Sequence, residues 1–378
     1  MENITTTEQK RTARVTTSIG GTAFHLLRYA FLVSVVLSVS GLTFSRTAHG
    51  QIFTIQNRPA ADFASWAATS GVQVLTGDFN GDGRTDTALV RQTAGWASVP
   101  VALSSATGFT IQNRPAADFA AWAATSGVRV LTGDFNGDGT TDLALVRQTA
   151  GWASVPVALS SATGFTIQNR PAADFASWAA TSGVLVTTGD FNGDGTTDLA
   201  LVRQAAGWAS VPVALSSTTG FTIQNRPAAD FASWAATTGV RVLTGDFNGN
   251  GTTDLALVRQ TAGWASVPVA LSNTTSFTIQ NRPSATFASW AATSGVRVLT
   301  GDFNVDGTTD LALVRQTAGW ASVPVALSNA TSFFEIQNRP AAAEVRTHLL
   351  NWPPNQGKSL ARDEQTSFYR CAARRRSR

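Results

Sequence analysis

The chain has 378 residues and a formal net charge of +4, but the charge is unevenly distributed. Residues 1–50 and 341–378 are basic, whereas residues 51–340 carry fifteen Arg against nineteen Asp and Glu, a net charge of −4, with no Lys, His or Cys. This balance excludes a basic surface for nucleic acid. The absence of Lys, His and Cys from residues 51–340 excludes catalysis there by a His-activated nucleophile, a Cys thiolate, a Lys Schiff base or a His-ligated zinc. We therefore expect a protein that is not an enzyme.

The first 50 residues have the pattern of a signal peptide with a long polar leader. Residues 29–42 are mostly apolar, about 14 positions, which is fewer than the roughly 20 that a membrane-spanning helix requires. The small residues Ala48 and Gly50 precede Gln51, as at a signal-peptidase site. We expect a protein that is secreted or held at the cell surface, with no membrane span after cleavage. A signal anchor is the alternative.

Residues 51–340 are built from a repeat of 56 residues. The segment Phe-Thr-Ile-Gln-Asn-Arg-Pro starts at Phe53 and returns four times at this spacing, then once more in altered form at Phe334. In each repeat the first predicted strand alternates apolar and polar residues. A short helix follows, which begins after Pro and ends before Gly, and three further strands come after it. Four strands per repeat predict an all-β fold, a β-propeller of four-stranded blades with five full repeats and one extra strand segment.

The extra strand segment leaves the closure of the ring open. It either completes the last blade with a strand from the other terminus or begins an unfinished sixth blade. A larger ring completed by association of chains is a further alternative, so an oligomer is possible. Residues 341–378 lose the repeat and predict a basic, disordered tail, or else a reading frame that has left the repeat.

An acidic loop, Asp-x-Asn-x-Asp-Gly-x-x-Asp, occurs once in each repeat. Oxygen side chains at positions 1, 3, 5 and 9, a backbone carbonyl at position 7 and Gly at position 6 suit a hard cation, so we predict up to five Ca²⁺ ions, one per loop. An EF-hand is excluded because position 12 is apolar; a metal-free polar turn is the alternative. The predicted metal ligands are Asp78, Asn80, Asp82, Arg84, Asp86, Asp134, Asn136, Asp138, Thr140, Asp142, Asp190, Asn192, Asp194, Thr196, Asp198, Asp246, Asn248, Asn250, Thr252, Asp254, Asp302, Asn304, Asp306, Thr308 and Asp310.

Two of the loops depart from the pattern. Asn250 replaces the third carboxylate in the fourth loop, so we expect weaker calcium binding there. Val305 replaces a Gly in the fifth loop, and a β-branched residue is strained if that position requires a positive φ.

The segment 77–90, Gly-Asp-Phe-Asn-Gly-Asp-Gly-Arg-Thr-Asp-Thr-Ala-Leu-Val, resembles the FG-GAP and VCBS repeat families. These are the calcium-bearing propeller repeats of integrin alpha chains, bacterial surface proteins and a fungal propeller lectin. The resemblance extends over about 280 residues and implies calcium in the loop between the first two strands of each blade. It does not imply one ligand, because the families include adhesion modules, lectins and domains attached to enzymes.

Each repeat also contains two Trp and an Arg that follows Asn. We expect the arginines, such as Arg58, to brace the blades, with ligand binding as the alternative. Trp stacks on sugar rings but also fills space between blades. The Trp series on the connecting segment is the candidate ligand site: Trp66, Trp122, Trp178, Trp234 and Trp290.

Together these features predict a secreted calcium-binding propeller that acts as a non-enzymatic binding module. Carbohydrate binding or adhesion is the favoured function, with glycans as partners. The alternative is a scaffold for adhesion to cell-surface or extracellular proteins, in which the calcium is purely structural and no glycan site exists.

Overall fold

The computed structural model describes residues 58–329 and 335–340. These residues form five antiparallel four-stranded sheets, the blades of a five-bladed β-propeller, which confirms the predicted fold class. The predicted leader, residues 1–50, and the predicted tail, residues 341–378, lie outside the described residues. Within the described residues, no helix is long and apolar enough to cross a membrane.

The strands follow one another in order across each blade. Blade 1 contains β1 (Val72–Gly77), β2 (Asp86–Arg91), β3 (Ser98–Ser104) and β4 (Phe109–Pro115). Blade 2 contains β5 (Val128–Gly133), β6 (Asp142–Arg147), β7 (Ser154–Ser160) and β8 (Phe165–Pro171). Blade 3 contains β9 (Val184–Gly189), β10 (Asp198–Arg203), β11 (Ser210–Ser216) and β12 (Phe221–Pro227). Blade 4 contains β13 (Val240–Gly245), β14 (Asp254–Arg259), β15 (Ser266–Ser272) and β16 (Phe277–Pro283). Blade 5 contains β17 (Val296–Gly301), β18 (Asp310–Arg315), β19 (Ser322–Leu327) and β20 (Glu335–Pro340).

A short helix precedes the first strand of every blade, as the Pro and Gly signals predict. The helices are α1 (Ala61–Ala67), α2 (Ala117–Ala123), α3 (Ala173–Ala179), α4 (Ala229–Ala235) and α5 (Ala285–Ala291). In α2 the apolar side chains recur at helical spacing, and Phe119, Ala120 and Ala123 are buried against the strands of blades 1 and 2. A fully buried Phe of this kind contributes about 1.5–3 kcal/mol. Helices α2 to α5 therefore fill the space between consecutive blades.

The Phe-Thr-Ile-Gln segment is the last strand of a blade, not the first. The first strands of consecutive blades contact one another, so they lie at the propeller axis and the fourth strands lie at the outside. In blade 5 the outer strand is β20, which comes from the altered copy at the C-terminal end of the repeats. This copy therefore completes its own blade. The two alternatives for the extra segment, completion from the other terminus and the start of a sixth blade, are both wrong for this copy.

The third strand contains a proline although it lies inside the sheet. Pro100 pairs with Asn113 on β4, but the ladder between β2 and β3 consists only of the pairs Thr87–Ala102 and Ala88–Val101. The missing N–H of Pro100 therefore falls beyond the end of this ladder, where no partner strand needs it. A short ladder within the blade therefore accommodates the proline.

Consecutive blades are joined by the same polar contacts at four interfaces. Between blades 1 and 2, the N–H of Thr141 donates to the carbonyl of Asp78 at 2.6 Å, and the N–H of Asp78 donates to the Thr141 hydroxyl at 2.9 Å. The amide of Gln92 donates to the carbonyl of Val128 at 2.8 Å. The corresponding bonds recur between blades 2 and 3, 3 and 4, and 4 and 5. The repeat in sequence therefore produces a repeat in the contacts between blades.

Candidate calcium loops and tryptophan grooves

The carboxylate at position 1 organises each acidic loop. In the first loop, which joins β1 to β2, Asp78 accepts the N–H groups of Gly81 at 2.8 Å, Asp82 at 3.1 Å and Gly83 at 2.8 Å. The same three bonds form in the other four loops. These loops lie between the first two strands of each blade, as the resemblance implies. A single carboxylate thus fixes the conformation of each loop by accepting three of its backbone N–H groups.

The carboxylate at position 9 joins the loop to the sheet. Asp86 is fully buried, and its two oxygens accept the N–H of Phe79 at 3.0 Å and the N–H of Ser104 at 2.7 Å. Burial raises the pKa of Asp86, although both hydrogen bonds oppose the rise. The rise is larger at the corresponding residues: the pKa reaches about 6 for Asp310 and about 7 for Asp142, Asp198 and Asp254.

The carboxylates of a loop are close enough to repel one another. Apart from burial, the charges of Asp134 and Asp138 further raise the pKa of Asp142. In the fourth loop Asn250 carries no charge, and only Asp246 adds to the rise at position 9. A cation among these oxygens would offset both the burial and the repulsion.

The side chains at positions 5 and 7 contact each other in every loop. In the first loop the guanidinium of Arg84 forms an ion pair with Asp82 at 3.2 Å, between exposed groups, which is a weak interaction. In the other loops a Thr replaces Arg84, and its hydroxyl donates to the position 5 oxygen at 2.6 Å. The predicted ligand at position 7 is a backbone carbonyl, which does not depend on this exchange.

The donor set of the loops fits a hard cation such as Ca²⁺. It consists of carboxylate, amide and carbonyl oxygens without nitrogen or sulfur, and a carboxylate oxygen that accepts one N–H retains capacity for another partner. Among the described residues, His, Cys, Asp and Glu side chains form no group of three that could hold a metal ion by themselves. Calcium binding at the predicted ligands therefore stays a prediction.

Val305 adopts the strained conformation that the sequence predicts. Its φ is 64°, and the glycines at this position in the other loops have φ between 74° and 79°. A β-branched residue in this region costs about 1–2 kcal/mol. The Val305 side chain is 89% exposed, so no packing offsets this cost.

The two Trp of each repeat are brought together, although 30 positions separate them in the sequence. Trp234 lies on helix α4, and Trp264 lies in the turn between β14 and β15, where Gly263 has a φ of 114°. Both side chains are half-buried and pack against the same apolar cluster. The other four pairs also share a cluster: Trp66 and Trp96, Trp122 and Trp152, Trp178 and Trp208, Trp290 and Trp320. Neither series is fully buried, and neither is fully exposed.

A small groove lies between the two Trp of blade 4. It has a volume of about 160 Å³, and its lining includes Trp234, Trp264, Ser266, Pro268 and Asn281. Asn281 is exposed on the outer strand, opposite Pro268. We call this set the tryptophan groove. It combines two apolar ring surfaces with an amide and a hydroxyl, a combination that suits a ligand with an apolar face and a hydroxyl-bearing edge.

The arginines that follow Asn brace the blades, as expected, because their guanidinium groups donate to carbonyls of neighbouring segments. Arg226 is 1% exposed; it donates to the carbonyl of Phe191 at 3.0 Å, the hydroxyl of Ser272 at 2.9 Å and the carbonyl of Thr274 at 3.2 Å. Its guanidinium also lies 5.2 Å from the centre of the Phe277 ring. The contacts join blade 3 to blade 4, and Arg114 joins blade 1 to blade 2 in the same way.

A second cavity of about 400 Å³ lies between blades 1 and 2. Its polar lining includes Gln73, Gln92 and Arg129. The residue at the position of Gln73 and Arg129 changes to Leu185 in blade 3. This cavity is therefore not a site that every blade repeats.

Comparison with known proteins bears on the fold. No protein-family model matches the chain, and no curated protein matches it. The structure is similar to that of an Agrocybe aegerita lectin that recognises non-reducing terminal N-acetylglucosamine, with 17% identity, a TM-score of 0.50, and coverage of 72% of this chain and 81% of that chain. It also matches a Photorhabdus luminescens Tc holotoxin pore, with 16% identity, a TM-score of 0.41, and coverage of 72% of this chain but 13% of that chain. The lectin shares the fold, and the toxin likeness is too weak to support an argument.

Proposed function

We propose that this protein is a secreted, calcium-stabilised β-propeller that binds carbohydrate and is not an enzyme. The observation that carries the proposal is the tryptophan groove, two half-buried Trp beside an exposed Asn, which every repeat of the propeller encodes. Pyranose rings have an apolar face that stacks on Trp and hydroxyls that bond to amides. The lectin of similar fold supports the same class of ligand and makes terminal N-acetylglucosamine the first probe.

Calcium has a structural role in this proposal. The acidic loops resemble those of the FG-GAP and VCBS repeats, and we infer that the chain belongs with them. Each loop links the first two strands of a blade, and its position 9 carboxylate also bonds to the third strand. A bound cation would neutralise carboxylates that repel one another, so we expect calcium to raise the stability of the blades without touching the sugar.

Repetition compensates for the small size of each groove. A groove of about 160 Å³ holds no more than part of a glycan. The corresponding residues recur in the other four repeats, and we expect them to form the same groove there. Five grooves on one rigid scaffold would engage several branches at once, which raises the overall affinity for multivalent glycans above that of a single groove.

The test substitutes the exposed Asn of the grooves and measures binding to N-acetylglucosamine-terminated glycans on an array. Asn is exposed and on the outer strand, so its replacement by Ala spares the fold; the positions are Asn113, Asn169, Asn225, Asn281 and Asn338. The matched control replaces exposed Thr on the same strands by Ala, at Thr110, Thr166, Thr222 and Thr278. We expect the Asn variant to lose binding and the Thr variant to keep it.

The rival function is a scaffold for extracellular protein partners. It predicts no glycan binding by the unmodified chain under any condition, together with a melting temperature that still depends on calcium. Equal binding by the Asn variant and by the Thr control would show that the tryptophan grooves are not the glycan-binding sites.

A further inference from the structure

The contacts that join consecutive blades have no counterpart between blade 5 and blade 1 among the described residues. At the four formed interfaces, a Thr N–H donates to an Asp carbonyl at 2.6 Å. The corresponding pair, Thr85 on blade 1 and Asp302 on blade 5, makes no such bond, and both residues are exposed. Gln316 on blade 5 likewise makes no bond to Val72, whereas Gln92 bonds to Val128. The chain therefore carries two half-interfaces that do not meet each other.

Both half-interfaces leave apolar side chains in solvent. On blade 5, Leu299 is 41% and Val314 is 38% exposed, whereas Val258, the counterpart of Val314 in blade 4, is 1% exposed. On blade 1, Val74 is 50% exposed, whereas its counterpart Val130 is 5% exposed. We call these surfaces the blade 5 end face, with Leu299, Asp302, Val314 and Gln316, and the blade 1 end face, with Val72, Val74 and Thr85.

The outer part of blade 1 is already covered. Arg58 donates to the carbonyl of Ser105 at 2.8 Å and lies 5.6 Å from the centre of the Phe109 ring. The outer-strand arginine of the preceding blade makes the same ring contact at the formed interfaces, as Arg114 does with Phe165. The uncovered part of the face is therefore the part near the axis, around Val74.

Near the axis the two end faces are complementary to each other, because there they carry the residue types that pack together at the four formed interfaces. Neither face is complementary to itself, because the blade 5 end face carries the Asp and the Gln of these hydrogen bonds and the blade 1 end face carries their partners, the Thr and the Val. We propose that the blade 5 end face of one copy of this chain docks on the blade 1 end face of a second copy. Such a head-to-tail contact joins chains into larger rings or filaments, not into a two-fold dimer.

The test uses the full chain and two variants that each block one end face. Val74→Asp and Val314→Asp place a charge on an exposed position, so the fold is retained, but they bury that charge if the faces dock. We expect each variant alone to associate on the order of 100-fold more weakly than the unmodified chain. Ala121→Asp, at an exposed position of helix α2, is the control and leaves association unchanged.

Mixing the two blocked variants gives the decisive outcome. Val74→Asp retains an intact blade 5 face and Val314→Asp retains an intact blade 1 face, so the mixture forms one-to-one dimers that cannot grow. Light scattering after size exclusion measures this mass. A mixture that stays monomeric overturns the proposal and indicates closure within one chain or an unused surface. Association of either blocked variant with itself also overturns it, because the contact would then not be head-to-tail.

Discussion

Gly245, at the end of β13, gives the sharpest test of how the blades are held together. A Cβ added there would lie 2.7 Å from Thr309 Cβ and closer still to its Cγ2. Real Cβ atoms essentially never make such contacts, so in Gly245→Ala the side chain of Thr309 on blade 5 must shift. The φ of Gly245 is not positive, so the backbone itself accepts Ala.

The cost can be worked out from the contacts that the methyl group breaks. Thr309 donates its N–H to the Asp246 carbonyl at 2.6 Å and accepts the Asp246 N–H at 3.0 Å. Loss of these two hydrogen bonds costs about 0.5–1.5 kcal/mol each, and overpacking costs a further ~1–3 kcal/mol. The lower entropy of unfolded Ala returns about 0.4–1 kcal/mol. We expect a net loss of about 3 kcal/mol.

Gly301 is the matched control, because it occupies the same position in blade 5. The nearest atom to its added Cβ is Phe303 Cζ at 3.4 Å, an ordinary contact, since no blade follows. Urea unfolding followed by tryptophan fluorescence compares the two variants at a protein concentration at which the chain is monomeric. Gly245→Ala lowers the midpoint, and its melting temperature falls by roughly 10 °C, whereas Gly301→Ala changes neither. Equal losses in both variants would refute the account of the interfaces.

Three further predictions concern a buried arginine, the strained valine and the buried loop carboxyls. Arg226→Ala removes a buried guanidinium that joins two blades and lowers the free energy of unfolding by about 3–5 kcal/mol, whereas Arg58→Ala, at the partly exposed counterpart, costs about 1 kcal/mol by urea unfolding. Val305→Gly relieves about 1–2 kcal/mol of strain at the positive φ, and the greater freedom of Gly in the unfolded chain takes back about 0.4–1 kcal/mol of it. We expect a net stabilisation of about 0.5–1 kcal/mol, and a lower urea midpoint would contradict the strain. Burial raises the pKa of three loop carboxyls from 3.8 to about 7, so the folded state holds more protons than the unfolded state between these values. The calcium-free protein therefore melts at a lower temperature at pH 8 than at pH 5, and added calcium restores the melting temperature at pH 8. A higher melting temperature at pH 8 than at pH 5 in EDTA would contradict the raised pKa values of Asp142, Asp198 and Asp254.

Much of the fold follows from local patterns that the sequence displays directly. The alternation in the strands, the Pro and Gly around the helices and the spacing of the acidic loops each depend on a few neighbouring residues. The strain at Val305 was predicted in the same way, because the other repeats have Gly at this position. The bracing role of Arg226 was also predicted, since every repeat places Arg beside a strand.

Other features depend on contacts between distant segments and were not predicted. The Trp pair of a groove comes from a helix and from a turn 30 positions later, and only the packing of α4 against β15 brings the rings together. Asn281 was not singled out, although it recurs in each repeat, because its position opposite Pro268 is a matter of strand register. The sequence left the closure of the ring open, and Thr85 and Asp302, which are unchanged from their counterparts, do not decide it. A repeat shows which surfaces match but not whether the last one meets the first.

The most direct test of the central proposal is glycan-array binding of the full chain, with about 1 mM calcium and again with EDTA. We expect binding to terminal N-acetylglucosamine that is strong with calcium and lost with EDTA, because the blades that carry the grooves loosen without the ion. Absence of binding in both conditions, from a protein whose melting temperature still rises with calcium, would contradict carbohydrate recognition and leave a calcium-stabilised scaffold for protein partners.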